Sequence, residues 1–434
     1  MPNSEQGIST TAATRKATYQ SVACPFCGLV CDDLVVTSDA GRLTVEQNGC
    51  DRARAGFERV VPEASPRVGG KTVSLDDAIA AAAALIAKSR LPLFGGLATD
   101  VEGMRAMMAL ADRAGGVVDH VLSPAQYRNT NVLQTKGWFM STLTETRNRA
   151  DLVIVVASDL AALHPRFFER IATPAETMFA AGSPKRTIVL LGCAVEASSH
   201  PRAGGCEVVD IPCPPAAVPA VLGYLRARLK SIDVAAPPPA GLARETLDDL
   251  TRRAAAASYG VVVWAPQALT FDGGDLVVQA ISDIVRDLNK TTRFAGLSLG
   301  GNDGAASAAS VCSWQSGYPL RVSFASGAPD YDPYRYDLAR MIAAGEGDVL
   351  IWTSTFGPDP VAPPATTLPA VVLATPGIAL ATAPAVFIPV ATPGLDHSGR
   401  LVRCDNVVSL PLRQLRQVSL PRLTDVAARI AAAL

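Results

Sequence analysis

The chain has 434 residues, 49% hydrophobic and 18% charged, with a formal net charge of −1. That length supports two or three domains with cores of their own. The near-neutral balance excludes a nucleic-acid face or a polybasic lipid anchor, and 6% aromatics are too few for base-stacking platforms.

Residues 1–18 are polar, poor in large apolar side chains, and read as a disordered tail. No apolar core follows Arg15-Lys16, so neither a secretory nor a twin-arginine signal is expected. Residues 19–61 carry short β-like runs, LVVTS and RLTVEQ, around four cysteines. From Pro62 the pattern changes. Apolar runs at 91–97, 150–158, 186–193 and 260–266 read as strands, and 75–88 and 101–115 as helices. Continuous Val/Ile/Leu runs followed by helices predict parallel sheets buried on both faces, an α/β fold. The longest apolar run, Ala78–Ala87, is flanked by Asp76, Asp77 and Lys88. A membrane span needs about 20 such residues, so this is a core helix of a cytoplasmic protein.

APPPAG at 236–241 breaks the chain like a linker. A helix over 275–290, strands within 347–354, 369–375 and 384–392, and a closing amphipathic helix over 420–434 follow. The stretch 357–395 is rich in proline and short of helix signal, and no fixed-period repeat marks a solenoid.

The strongest chemical signal is Cys24, Cys27, Cys31 and Cys50, spaced C-x2-C-x3-C-x18-C. Cys24 and Cys27 fit one tight turn, Gly28 lets backbone amides approach the sulfurs, and Arg52 and Arg54 add positive charge. A [4Fe–4S] cluster is the natural occupant. Zinc and an empty set of reduced thiols are the alternatives. The other five cysteines (Cys193, Cys206, Cys213, Cys312, Cys404) are scattered and read as small buried hydrophobes.

Other constellations are weaker. GLSLG at 296–300 fits a serine-hydrolase elbow with Ser298 as nucleophile, and Asp348 and His397 follow in triad order. In a chain with 34 glycines such a match arises readily by chance, and a Gly-rich turn is the plainer reading. LFGGLATDVEGM at 93–104 offers a strand, a Gly pair and a helix N-terminus for a phosphate, but lacks G-x-G-x-x-G spacing. His120, His164, His200 and His397 form no HExxH or H-x-H pair, so zinc hydrolysis by this chain is unsupported.

CPFCGLVCDDLVV resembles the start of the B subunit of formylmethanofuran dehydrogenase, within the molybdopterin oxidoreductase superfamily. ETRNRADLVIVVASDLAALHPRFFER (145–170), WQSGYPLRVSFASGAPDYDP (314–333) and DHSGRLVRCDNVVSLPL (396–412) are similar to later segments of that family. The resemblance implies a formate dehydrogenase/DMSO reductase-like fold without its C-terminal β-barrel domain. Residues 62–147 and about 300–434 would form one discontinuous α/β domain, with 148–299 inserted as a second.

The family's metal thiolate lies in a Cys-His-Gly-Pro segment. The corresponding stretch here, 119–138, holds His120, Ser123 and Pro124 but no cysteine. A hard hydroxyl at Ser123 is a poor substitute for thiolate on molybdenum or tungsten, so no such metal and no molybdopterin are expected. The resemblance then points to the variant family arrangement of methylotrophic bacteria, a formyltransferase/hydrolase complex. There formyl groups pass from tetrahydromethanopterin to a methanofuran-type carrier and leave as formate. This chain resembles the B subunit, expected to be redox-inactive and structural, with A, C and D subunits as partners. An active tungsten or molybdenum B subunit and a serine hydrolase through Ser298 are the competing readings. With a mean hydropathy of +0.22, part of the apolar surface should belong to partners, leaving the isolated chain poorly soluble.

Overall fold

The computed structural model describes residues 16–179, 181–182, 184–193 and 206–434. Most of the expected N-terminal tail, and His200, lie outside them. The first strand begins at Ala17, two residues inside that expected tail.

Strands Ala17–Val22, Leu34–Asp39 and Arg42–Gln47 form an antiparallel three-stranded sheet. Ala40 and Gly41 both have positive φ, the primed hairpin turn whose twist matches its strands. The loop between the first two strands carries Cys24, Cys27 and Cys31. Cys50 is the N-cap of helix Asp51–Phe57.

Two larger sheets follow. One has five strands, all parallel, in the order Cys206–Ile211, Arg186–Leu191, Leu152–Val156, Gly260–Trp264, Phe294–Ser298. The other has nine. Its five parallel inner strands run Val117–Val118, Pro92–Ala98, Val349–Ser354, Ala370–Ala374 and Val386–Pro389. Short antiparallel strands close its two edges. The five-stranded sheet is thus built wholly from residues 152–298, and the nine-stranded sheet from the chain on either side of it. No described helix is long and apolar enough to cross a membrane.

Strands Pro92–Ala98, Leu152–Val156, Gly260–Trp264 and Val349–Ser354 are buried at every residue, which is why their sequences are unbroken apolar runs. Phe94 and Ile351 pack on one face with Met104, Met107, Leu110 and Ile430 of the covering helices. Leu93, Leu350 and Trp352, one residue out of phase, pack on the other. Helix Val101–Ala114 begins where the Asp100 carboxylate accepts from the Gly103 N–H and ends at left-handed Gly115. Asp100 therefore already fills the helix N-terminus that the sequence offered to a phosphate.

Helix Ala305–Ser316 is set against the end of strand Pro92–Ala98 through Gly304. Its φ is +72°, and a Cβ there would lie 2.2 Å from the Thr99 carbonyl oxygen. Gly304→Ala should cost about 2 kcal/mol through left-handed strain and backbone overlap. The readout is the thermal midpoint of the co-purified protein, and an unchanged midpoint refutes this packing.

Candidate functional site

Three segments far apart in sequence meet at the carboxyl end of the five-stranded sheet. The turn after strand Phe294–Ser298, residues 300–304, winds through left-handed Gly301, Asp303 and Gly304. The cysteine loop lies directly on it. The Gly28 N–H donates to Asn302 Oδ1 at 2.9 Å, and a Cβ on Gly28 would fall 2.2 Å from the Gly300 carbonyl oxygen. The Cys404 N–H donates to the Gly28 carbonyl at 2.8 Å. Cys404 therefore belongs to this centre and is not the isolated core cysteine the sequence suggested. Its distance of several hundred residues from the quartet hid it.

The four quartet thiols gather in one region, Cys24, Cys27 and Cys31 buried and Cys50 half-buried, and each receives a donor. The Phe26 amide points at Cys24, the Leu29 amide at Cys27, the Arg170 guanidinium at Cys31 and the Ala53 N–H at Cys50. Burial pushes the Cys24 thiol well up and the Cys27 thiol to about 12, so free thiols here stay protonated at neutral pH. Donors aimed at sulfur gain most when the sulfur is anionic, as it is when ligating iron. Among the described residues no three His, Cys, Asp or Glu side chains converge on a single-ion site. Cys24, Cys27, Cys31 and Cys50 would hold a [4Fe–4S] cluster, which would store one electron.

The HPR segment ties this loop to the five-stranded sheet. Buried Arg166 forks Asp33 at 2.7 and 2.9 Å and also reaches Glu169 at 2.7 Å, while Arg170 pairs with Asp32. His164 Nε2 donates to the Leu299 carbonyl at 3.3 Å, beside the same turn.

A cavity of about 620 Å3 opens next to the turn. Ser298, Gly300, Gly301, Cys404 and Asn406 line it, together with Trp138, Met140 and the exposed Trp314 and Val407. Helix Ser123–Lys136, which the sequence pattern did not reveal, forms one wall. Its Gln126, Asn129, Thr130 and Leu133 face the cavity, at i, i+3, i+4 and i+7. Asn129 clamps the sheet from both ends of its amide, donating to Ser298 Oγ at 2.7 Å and accepting from Trp264 Nε1 at 2.9 Å.

This disposes of the hydrolase elbow. Ser298 is held by Asn129. Asp348 lies at the opposite end of its sheet, taken by Ser89 and the N–H groups of Arg90 and Leu91. His397 Nδ1 contacts the Ser398 carbonyl. The three do not come together.

Ser123 points away from the cavity. It is fully buried, and its hydroxyl accepts from Arg321 Nε at 3.3 Å and donates to Asp119. His120 is locked neutral: Nδ1 accepts from the Leu122 N–H at 3.0 Å and Nε2 donates to the Asp303 carbonyl at 3.0 Å. Ser123 does not fit a molybdenum or tungsten centre, because its hydroxyl is already spent on the Arg321 guanidinium and the Asp119 carboxylate. Arg321, Asn129 and Asn302 escaped the sequence reading, since nothing local distinguishes them from ordinary surface residues.

Burial holds His120 and His164 at about 4 in the folded chain, against an ordinary 6.5. The unfolded chain takes up these two protons first, so the stability present above pH 6.5 is lost as pH falls toward 4. Asp119, raised by burial to about 6, works the opposite way over the same window. Asp100 and Asp303, also raised by burial, join Asp119, whereas Asp33, Asp287 and Asp348, held low by their hydrogen-bond and cationic partners, lose stability on acidification like the histidines, so acidification should be destabilising. Denaturant midpoints across pH 4–7 should show this slope, and His164→Gln should flatten it.

No family model matches the chain. It is 32% identical over 289 residues to the B subunit of the formyltransferase/hydrolase complex Fhc of Methylorubrum extorquens, covering 66% of this chain and 74% of that one. It is 25% identical over 428 residues to the B subunit of tungsten-containing formylmethanofuran dehydrogenase 2 of Methanococcus maripaludis, covering 94% and 96%. A solved relative is the crystal structure of the FhcABCD complex from Methylorubrum extorquens with methylofuran. One of its chains superposes with a TM-score of 0.69 at 28% identity, covering 85% of this chain and 98% of that chain. The chain belongs to the family formed by the B subunits of formyltransferase/hydrolase complexes and formylmethanofuran dehydrogenases.

Proposed function

We propose that this chain is the B subunit of a formyltransferase/hydrolase complex with A, C and D partners. In that complex formyl groups pass from tetrahydromethanopterin to a methanofuran-type carrier and are released as formate. The chain itself is structural and redox-inactive. The observation that carries this reading is the state of residues 119–138. The stretch that would supply the metal thiolate is a helix whose Ser123 is buried against Arg321 and Asp119. The hydrolytic and transfer steps then belong to other subunits, and this chain contributes the surface that holds them.

That surface is readable. Trp314 is 64% exposed and Val407 55%, and with Leu133 and Met140 they line the cavity. Apolar side chains gathered in one exposed patch mark a protein interface. Replacing Trp314 with Asp should weaken retention of the partner subunits about tenfold or more, since buried Trp anchors dominate such contacts. Pull-down yields against a stably folded control substitution report it.

The cysteine quartet retains the capacity for one [4Fe–4S] cluster, supported by the donor aimed at each sulfur. Elemental analysis of the co-purified complex tests both statements. Iron and acid-labile sulfide are expected at about four per copy of this chain if the cluster is held, and Cys27→Ser should lower both. Tungsten and molybdenum are expected below stoichiometric levels. Stoichiometric tungsten or molybdenum in the wild-type complex overturns the structural role, and iron-free protein overturns the cluster.

A further inference from the structure

We infer that the place the family gives to its metal ligand has been taken over by an internal cation, the guanidinium of Arg321, so that restoring the missing thiol would not restore the site. This rests on the redox-inactive reading above and goes beyond it. It names what replaced the lost centre and why the loss cannot be reversed by one substitution.

Helix Ser123–Lys136 has two working faces. Gln126, Asn129, Thr130 and Leu133 face the open cavity, whereas Ser123 and Tyr127, one turn apart, face Arg321. The side chain at the helix start therefore looks into packed protein and not into the cleft.

Every side of the guanidinium is used. Nε lies 3.3 Å from Ser123 Oγ and 3.5 Å from Asp119 Oδ2. Nη2 lies 2.5 Å from Asp337 Oδ2, and Nη1 donates to the Pro333 carbonyl. Its flat face stacks 4.5 Å over the Tyr127 ring. A planar fork with five donors suits this mixed set, and a compact ammonium would not reach it.

The backbone is bent to bring this about. Leu320 and Arg321 are consecutive non-glycine residues with φ of +70° and +49°. Such strain persists only where the surroundings over-determine it. The surroundings do: Asp337 also caps helix Leu338–Ala343 through the Arg340 N–H, and the Asp119 carboxylate also accepts from the Leu338 N–H. Removing the cation would strand the buried Asp119 carboxylate and take from Asp337 its ion-pair partner at 2.5 Å. Arg321 is thus a positioning residue that seals the helix start and fixes the cavity wall.

The test uses the co-purified complex from cells supplied with tungstate and molybdate. Ser123→Cys is close to isosteric and should assemble normally. Its new thiol should resist iodoacetamide under native conditions, about 100-fold or more below its rate in denatured protein, as read by peptide mapping. The complex should gain no tungsten or molybdenum. In the Ser123→Cys, Arg321→Ala double variant the same thiol should react at least tenfold faster than in the single variant. Equal rates in the two variants, or a single variant that reacts freely or binds metal stoichiometrically, overturn the inference. Should the double variant not assemble, the single variant's labelling and metal content decide alone. Metal in the wild-type complex would strike down the redox-inactive reading itself, whereas a metal-free wild type beside a metallated Ser123→Cys strikes down only this inference.

Discussion

The architecture turns on one close approach, that of Gly28 to the turn at residues 300–304. Two backbones meet there with no room for a Cβ, and the contact is fixed by the Gly28 N–H on Asn302 and the Cys404 N–H on the Gly28 carbonyl. Close packing of this kind admits few alternatives, because a methyl group would force one backbone to move. Through it the small N-terminal sheet, the five-stranded sheet and the C-terminal ribbon, the antiparallel strands Gly399–Val402 and Ser409–Leu412, are brought together. The cysteine loop, the Gly-rich turn and the cavity are therefore parts of one centre, with Cys404 shared between the quartet and the cavity.

Around that point the protein uses buried polar pairs as fasteners. Arg166 with Asp33 ties the loop to the five-stranded sheet, Arg403 with Asp405 fastens the ribbon to the start of helix Leu143–Arg149, and Asn129 fastens the cavity wall to Ser298 and Trp264. Buried ionic contacts of this type add little net stability over an apolar core, but breaking one strands its partner. The same scaffold carries the exposed Trp314 and Val407, which line the cavity.

Much of the fold was legible beforehand. The apolar runs at 91–97, 150–158 and 260–266 read as strands buried on both faces and contain or overlap the strands Pro92–Ala98, Leu152–Val156 and Gly260–Trp264, and helix Leu75–Lys88 carries Ser74 at its cap, acids in its first turn and Lys88 in its last. Helix Ser123–Lys136 was not legible, since SPAQYRNTNVLQTK has no apolar stripe. Val132 alone joins an apolar core, while Asn129 bonds to Ser298 and Trp264 of the five-stranded sheet, Gln126 to the Ala305 carbonyl and Tyr127 to the Pro319 and Leu320 carbonyls, and hydrophobic periodicity carries no trace of such contacts.

Sequence alone determined the covalent inventory: four cysteines in ligand order, no thiol between Cys50 and Cys193, and the motifs that place the chain in its family. Those are properties of residue type and spacing along the chain. Only the tertiary structure decided which partners these residues meet. It set Cys404 beside the quartet, left Ser298, Asp348 and His397 apart, and closed Arg321 over Ser123. The physical reason is that charge pairing, burial and backbone contact depend on separation in space, and residues about 200 positions apart acquire that separation only when the sheets pack.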